Sequence, residues 1–265
     1  MPTSSLLIPV LLPLLLVVAS SLGWLVQQRM PPHHRRQETM DAIRLVMSIL
    51  ITFAALVLGL LISSAKAVYD GQDRALRAYS LDLIDLDQRL REYGPEAAPE
   101  RRRLHGFVTG ALTQIWPENN RPAPDGGPAG ARSPEDQDLG SQLLALDEEI
   151  ARFQPATPGQ QRTLSLLQAR MTAVLQQRLV LVEAGSATVT WPFLTVLAFW
   201  LVIVFAIIGL STPSNALVHV VIGLGTLSVS VALFLILELE TPLSGAMKIP
   251  DTPLQETLRQ IGRPS

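Results

Sequence analysis

The stretch LVMSILITFAALVLGLLISSA (Leu45–Ala65), continued by KAVYDGQDRALRAYSLDLIDLDQRLREY (Lys66–Tyr93), decides the fold. Its first half holds no charge and is long enough to cross a hydrocarbon core about 30 Å thick, which needs roughly 20 helical residues. Its second half is charged, yet Leu76, Tyr79, Leu83, Leu86, Leu90 and Tyr93 recur in steps of three and four. That is the spacing of a helix seam buried against other helices. No Pro or Gly-Pro interrupts the chain until Gly94-Pro95, so one helix is expected to run from the membrane into a water-exposed region.

Three further apolar runs share the character of the first half: Leu6–Val26, Trp191–Leu210 and Ala216–Leu237. A charge at mid-bilayer costs about 2.5 to 3.5 kcal/mol, and lipid offers no water to backbone N–H and C=O groups, so such runs become helices. The predicted class is an all-α polytopic membrane protein. Two transmembrane hairpins (residues 1–65 and 190–238) bracket a helical extramembrane insert (66–189), and a tail follows (239–265). The first run is expected to be retained: the opening residues carry no basic group, and the run exceeds a signal-peptide core.

Within the insert, Leu104, Phe107, Val108, Leu112 and Ile115 form a second seam that ends at Trp116-Pro117. Leu139, Leu143, Leu146, Ile150 and Phe153 form a third. Leu164, Leu167, Met171, Val174 and Leu181 form a fourth. Residues 118–134 are rich in Pro, Gly and Asn and lack an apolar period, which predicts a flexible loop. In the tail, Thr252 is the expected N-cap of a short helix with Pro253 at N1 and Gln255 at the capping-box position. Leu254, Leu258 and Ile261 would dock that helix on the insert rather than on lipid.

Composition narrows the function classes. The 265 residues have a formal net charge of −2 and no cysteine. Nucleic-acid binding has no charge signature, and thiolate catalysis, disulfides and thiolate metal sites are excluded. No phosphate-cradling loop, nucleophile elbow or metalloprotease pattern occurs, so neither enzymatic activity nor a cofactor or metal site is expected. The scarcity of Lys beside Arg is a hint of a GC-rich bacterial genome and nothing more. The expected location is the bacterial cytoplasmic membrane, as an integral membrane protein. The bilayer and further copies of the chain are the expected partners, together with an unidentified protein partner for the insert.

Polar and small residues inside spans are costly unless they face protein or water. In the second span Ser48, Thr52, Ala55, Gly59 and Ser63 share a face, and in the fourth His219, Gly223, Thr226 and Ser230 do so. Each stripe reads either as close helix packing or as the lining of a water-filled path. For the second span, Phe53 is the candidate apolar constriction. Glu238 and Glu240, ending the fourth span, read as a solvated helix terminus or as a carboxylate ring in an oligomer, the latter favouring cations. His33, His34, Arg35 and Arg36 form a basic patch that acts as a topology signal. Arg101, Arg102 and Arg103 read as a solvated face. Arg29, Arg35, Arg36 and Arg44 in the first connection predict a cytoplasmic connection and an outward insert, against the opposing pull of Lys66 and Lys248.

The four-span layout, Ala67-Val68-Tyr69-Asp70 after the second span, and the tail around Glu240, Pro242, Ser244, Gly245, Pro253 and Leu254 resemble a bacterial family described as bestrophin-like. Leu243 stands where that tail usually has Phe. Bestrophins proper are pentameric anion channels whose second transmembrane helix lines the pore. The resemblance therefore implies an oligomeric channel or transport protein with the second span facing the path. It also implies a cytoplasmic insert, opposite to the charge reading. The alternative from the residues alone is a membrane-anchored sensor or scaffold acting through the insert.

Overall fold

The computed structural model describes residues 3–29, 37–117, 134–185, 191–211, 216–240 and 247–262. Regular structure among the described residues is helical throughout. The helices are α1 (Thr3–Arg29), α2 (Gln37–Tyr93), α3 (Ala98–Ile115), α4 (Pro134–Ala151), α5 (Pro158–Gly185), α6 (Trp191–Ser211), α7 (Ala216–Leu239) and α8 (Thr252–Ile261). The chain forms two compact units. One comprises residues 1–69, 188–241 and 245–247; the other comprises 70–187, 242–244 and 248–265. The expected loop at 118–134 falls almost wholly outside the described residues, as do His33, His34, Arg35 and Arg36.

In the first unit α1 packs on α6 and α7. Leu16, Leu61, Ala65, Leu197, Leu201, Phe205, Leu233 and Ile236 meet in its apolar core. The crossing of α1 and α6 is set by two glycines. A methyl group at Gly23 would fall on the Ala206 carbonyl, and one at Gly209 on the Ser20 carbonyl. Two backbones in direct contact gain dispersion along their whole crossing, the chief attraction left between helices already surrounded by lipid.

The second unit is a helical bundle built on the seams. Leu83, Leu86, Leu90, Leu104, Leu143, Leu146, Ile150, Leu167 and Met171 are fully buried. Gly94, at φ 131°, ends α2 in a conformation that only glycine adopts cheaply. A 3-10 turn, Pro95–Ala97, then reverses the chain into α3. The Tyr93 and Phe153 rings stack with centroids 4.6 Å apart.

Polar bonds fix how these helices register. The buried Asp87 carboxylate accepts from Arg91 Nε at 2.7 Å and from Arg101 Nε at 2.9 Å. Arg91 also donates to the Gln260 carbonyl of α8 at 2.9 Å. One carboxylate therefore ties α2 and α3 together and, through Arg91, reaches the C-terminal helix. Arg170 of α5 pairs with Asp82 at 2.9 Å and Asp85 at 2.6 Å. Arg103 pairs with Glu149. The arginine run is thus no uniform solvated face: Arg102 and Arg103 are exposed, while Arg101 is half-buried, and Arg101 and Arg103 hold α2 and α4.

The tail docks on the insert. Trp116 Nε1 donates to the Ile249 carbonyl at 2.9 Å, and Thr257 Oγ1 to the Ser80 carbonyl at 3.3 Å. The buried face of α8 is Leu254, Thr257 and Ile261, with Leu258 only half-buried. The cap differs from expectation. Asp251 occupies the N-cap and Thr252 begins the helix, yet no side chain caps the backbone. The Asp251 carboxylate instead accepts the Gln255 amide at 2.7 Å, satisfying it by another route.

The glycine crossing makes a sharp prediction. Gly209→Leu forces α1 and α6 apart and destabilises the fold by about 3 kcal/mol, the upper end of overpacking costs. Gly59→Ala, whose added carbon meets nothing within 4 Å, leaves the fold's stability nearly unchanged. Thermal unfolding of both variants in mild detergent measures the difference.

Candidate functional site

Exposure singles out α2 among the spanning helices. Only 11% of its most apolar window is buried within the protomer, against 28% for each of the other three. The face it turns inward carries Ala54, Leu61 and Ala65. Ser48, Thr52, Ala55, Gly59 and Ser63 all lie on exposed positions away from that face. Steps of three and four keep these five in line along about 22 Å of helix, at 1.5 Å per residue. Packing inside the protomer is therefore not what the small side chains serve.

Two hydroxyls of this stripe are bonded to their own helix. Ser48 Oγ donates to the Leu45 carbonyl at 2.7 Å, and Thr52 Oγ1 to the Ser48 carbonyl at 2.8 Å. Each of these two oxygens keeps lone pairs free to accept while its own proton is already bonded. Phe53 stands one helical step, about 100°, from Thr52. Its ring lies 6.2 Å from that of Trp200 on α6, which draws it towards the neighbouring helix rather than along the stripe.

The stripe of α7 divides. His219 and Gly223 are exposed, while Thr226 and Ser230 are buried. Thr226 Oγ1 donates to the Ile222 carbonyl at 2.8 Å, and Ser230 Oγ to the Thr226 carbonyl at 2.7 Å. The inner half of this row thus packs within the protomer, beside Leu233 and Ile236 of the core.

At the end of α7 the two carboxylates differ. Glu238 is buried and accepts the Met247 amide at 3.3 Å, which anchors the start of the tail. Glu240 is half-buried, and desolvation pushes its carboxyl above the usual carboxylate range. Neither matches a fully solvated terminus. Of the remaining tail residues, Leu254 is buried and Pro253 half-buried in α8. Pro242, Ser244 and Gly245 lie outside the described residues. Sequence reading missed Gly23 and Gly209, since small residues on two distant helices carry no mark of their partner. It also missed Asp87, one of several acidic residues on α2.

The architecture defines an integral membrane protein of four spanning helices with a helical insert, its second span largely uncovered. Residues 14–254 match the bestrophin-like domain family, and the chain belongs to that family. Solved structures of a bacterial bestrophin homologue from Klebsiella pneumoniae share the fold. A leucine-to-threonine variant of that homologue superposes with a TM-score of 0.59 at 16% identity, covering 98% of each chain. An isoleucine-to-threonine variant gives 0.59 at 15% identity over 98% of this chain and 99% of that one. An aspartate-to-alanine variant gives 0.59 at 16% identity over 97% and 99%. No curated protein matches the sequence.

The chain's lack of cysteine permits a direct reading of the α2 faces. Single cysteines at Thr52 and Gly59 are expected to react with a small water-soluble thiol reagent. Cysteines at Ala54 and Leu61 are expected to stay unmodified at least tenfold longer. Equal labelling of the two sets would remove the stripe as the lining of a wet path.

Proposed function

We propose that this protein is an oligomeric ion channel or transport protein of the bacterial cytoplasmic membrane, with α2 facing the central path. The observation carrying this reading is the exposed row from Ser48 to Ser63 on the spanning helix least covered by its own protomer. Rotational symmetry would surround an axis with copies of that row. The self-bonded hydroxyls of Ser48 and Thr52 would then offer acceptor oxygens to a passing ion, at no desolvation cost to a buried donor. Membership of the bestrophin-like family supports the same assignment.

Liposome flux tests it. The reconstituted protein is expected to pass small ions selectively, and Thr52→Trp, which crowds the axis, to lower flux by roughly an order of magnitude. Flux unchanged by the substitution would move the path away from α2. No flux across pH and voltage, from folded and inserted protein, would favour a sensor or scaffold acting through the insert. The exposed Leu144, Leu166, Leu179, Val180 and Val182 of α4 and α5 give that second reading its one specific support.

On family grounds we place the insert in the cytoplasm, against the charge balance of the first connection. A Gly126→Cys variant in intact cells is then expected to resist an impermeant thiol reagent until lysis. Labelling before lysis would put the insert outside.

A further inference from the structure

A groove of about 330 Å³ opens on the membrane unit between α1 and α7. Leu25 and Ile222 supply apolar wall, and Ser20, Trp24, His219 and Gly223 also line it. The polar groups gather towards one membrane surface: His219 sits in the first turn of α7, and Trp24 in the last two turns of α1. Arg29 stands one turn beyond Leu25 on the same helix face. We propose that this groove holds an acyl chain of an anionic phospholipid, with the headgroup at the end marked by His219 and Arg29.

Three observations carry this. First, a largely apolar groove on a lipid-facing surface draws no water, and hydrocarbon is what surrounds it. At ~30 Å³ for a water-sized group, its volume admits a stretch of acyl chain. Second, Trp24 places an indole where an amphipathic ring is favoured, between hydrocarbon and headgroups. Third, charge selects the headgroup. Arg29, exposed at the end of α1, supplies the positive charge at this end. Each basic residue near an anionic lipid surface strengthens attraction about fivefold. The N-terminal N–H groups of α7 add a positive partial charge at the same level.

Gly223 supplies the control. A carbon added there meets nothing within 4 Å, so Gly223→Leu starts from open space and extends its side chain at a residue that lines the groove. The inference depends on membrane insertion alone and is independent of conduction.

The test is quenching of Trp24 fluorescence in full-length, reconstituted protein whose Trp116, Trp191 and Trp200 are replaced by Phe. The probes are vesicles of phosphatidylglycerol or phosphatidylcholine with brominated acyl chains. Trp24 should be quenched by both, with a relative affinity for the anionic lipid roughly fivefold higher. Gly223→Leu should weaken quenching, and Arg29→Gln should abolish the anionic preference while leaving quenching by phosphatidylcholine intact. A matching protein that retains Trp200 alone should show neither effect, which separates groove filling from general unfolding. Equal affinity for the two lipids would overturn the headgroup assignment. Quenching indifferent to Gly223→Leu would overturn the groove. No quenching of Trp24 by either lipid would mean that a second copy of the chain covers the site instead.

Discussion

The constraint on which everything else rests is that a backbone amide in hydrocarbon must find its partner within the protein. It turns four apolar runs into helices, and it leaves α2 with an unbroken ladder from Gln37 to Tyr93. Once that ladder exists, side-chain pattern alone decides what each part of the helix meets. Beyond the apolar run, Leu83, Leu86 and Leu90 enter a water-excluding seam. Within it, only a narrow row around Ala54 and Leu61 is covered by the protomer. The channel reading follows from this asymmetry of cover rather than from any single reactive group.

Polar interactions do different work in the two units. In the insert, long-range ion pairs such as Arg170 with Asp82 and Asp85 choose among registers that a leucine seam would otherwise allow. The buried Asp87 is the most committed of these, because leaving it unpaired would strand a charge away from water. In the membrane unit Ser21, Ser48, Thr52, Thr226 and Ser230 turn their hydroxyls back on their own helices, and association relies on shape, as the glycine crossing illustrates. Each unit uses the attraction that its solvent leaves available.

Periodicity made the seams readable. Leu76 to Tyr93 repeats closely enough that burial follows from spacing, and Gly94 marks its end by a φ that other residues avoid. What escaped reading was pairing between distant segments. Nothing in Arg101-Arg102-Arg103 says which member reaches Asp87, since the answer depends on how α3 rotates against α2. The row on α7 shows a related point: four residues on one helix face need not share one environment. Its outer half borders a groove and its inner half lies under neighbouring helices. Thr257 was invisible as a docking residue because its hydroxyl finds a carbonyl on Ser80, far away in sequence.

The close crossing of α1 and α6 at Gly23 and Gly209 also bears on how the protein is made. α1 leaves the ribosome well before α6, against whose backbone it packs, because α6 follows only after the entire insert. At ordinary synthesis rates that interval is roughly ten to forty seconds. During it α1 presents a flat, glycine-bearing face to lipid with nothing to hold it. The nascent protein therefore passes through a half-assembled stage in the bilayer, open to membrane chaperones, to proteases and to mispairing with other newly inserted helices.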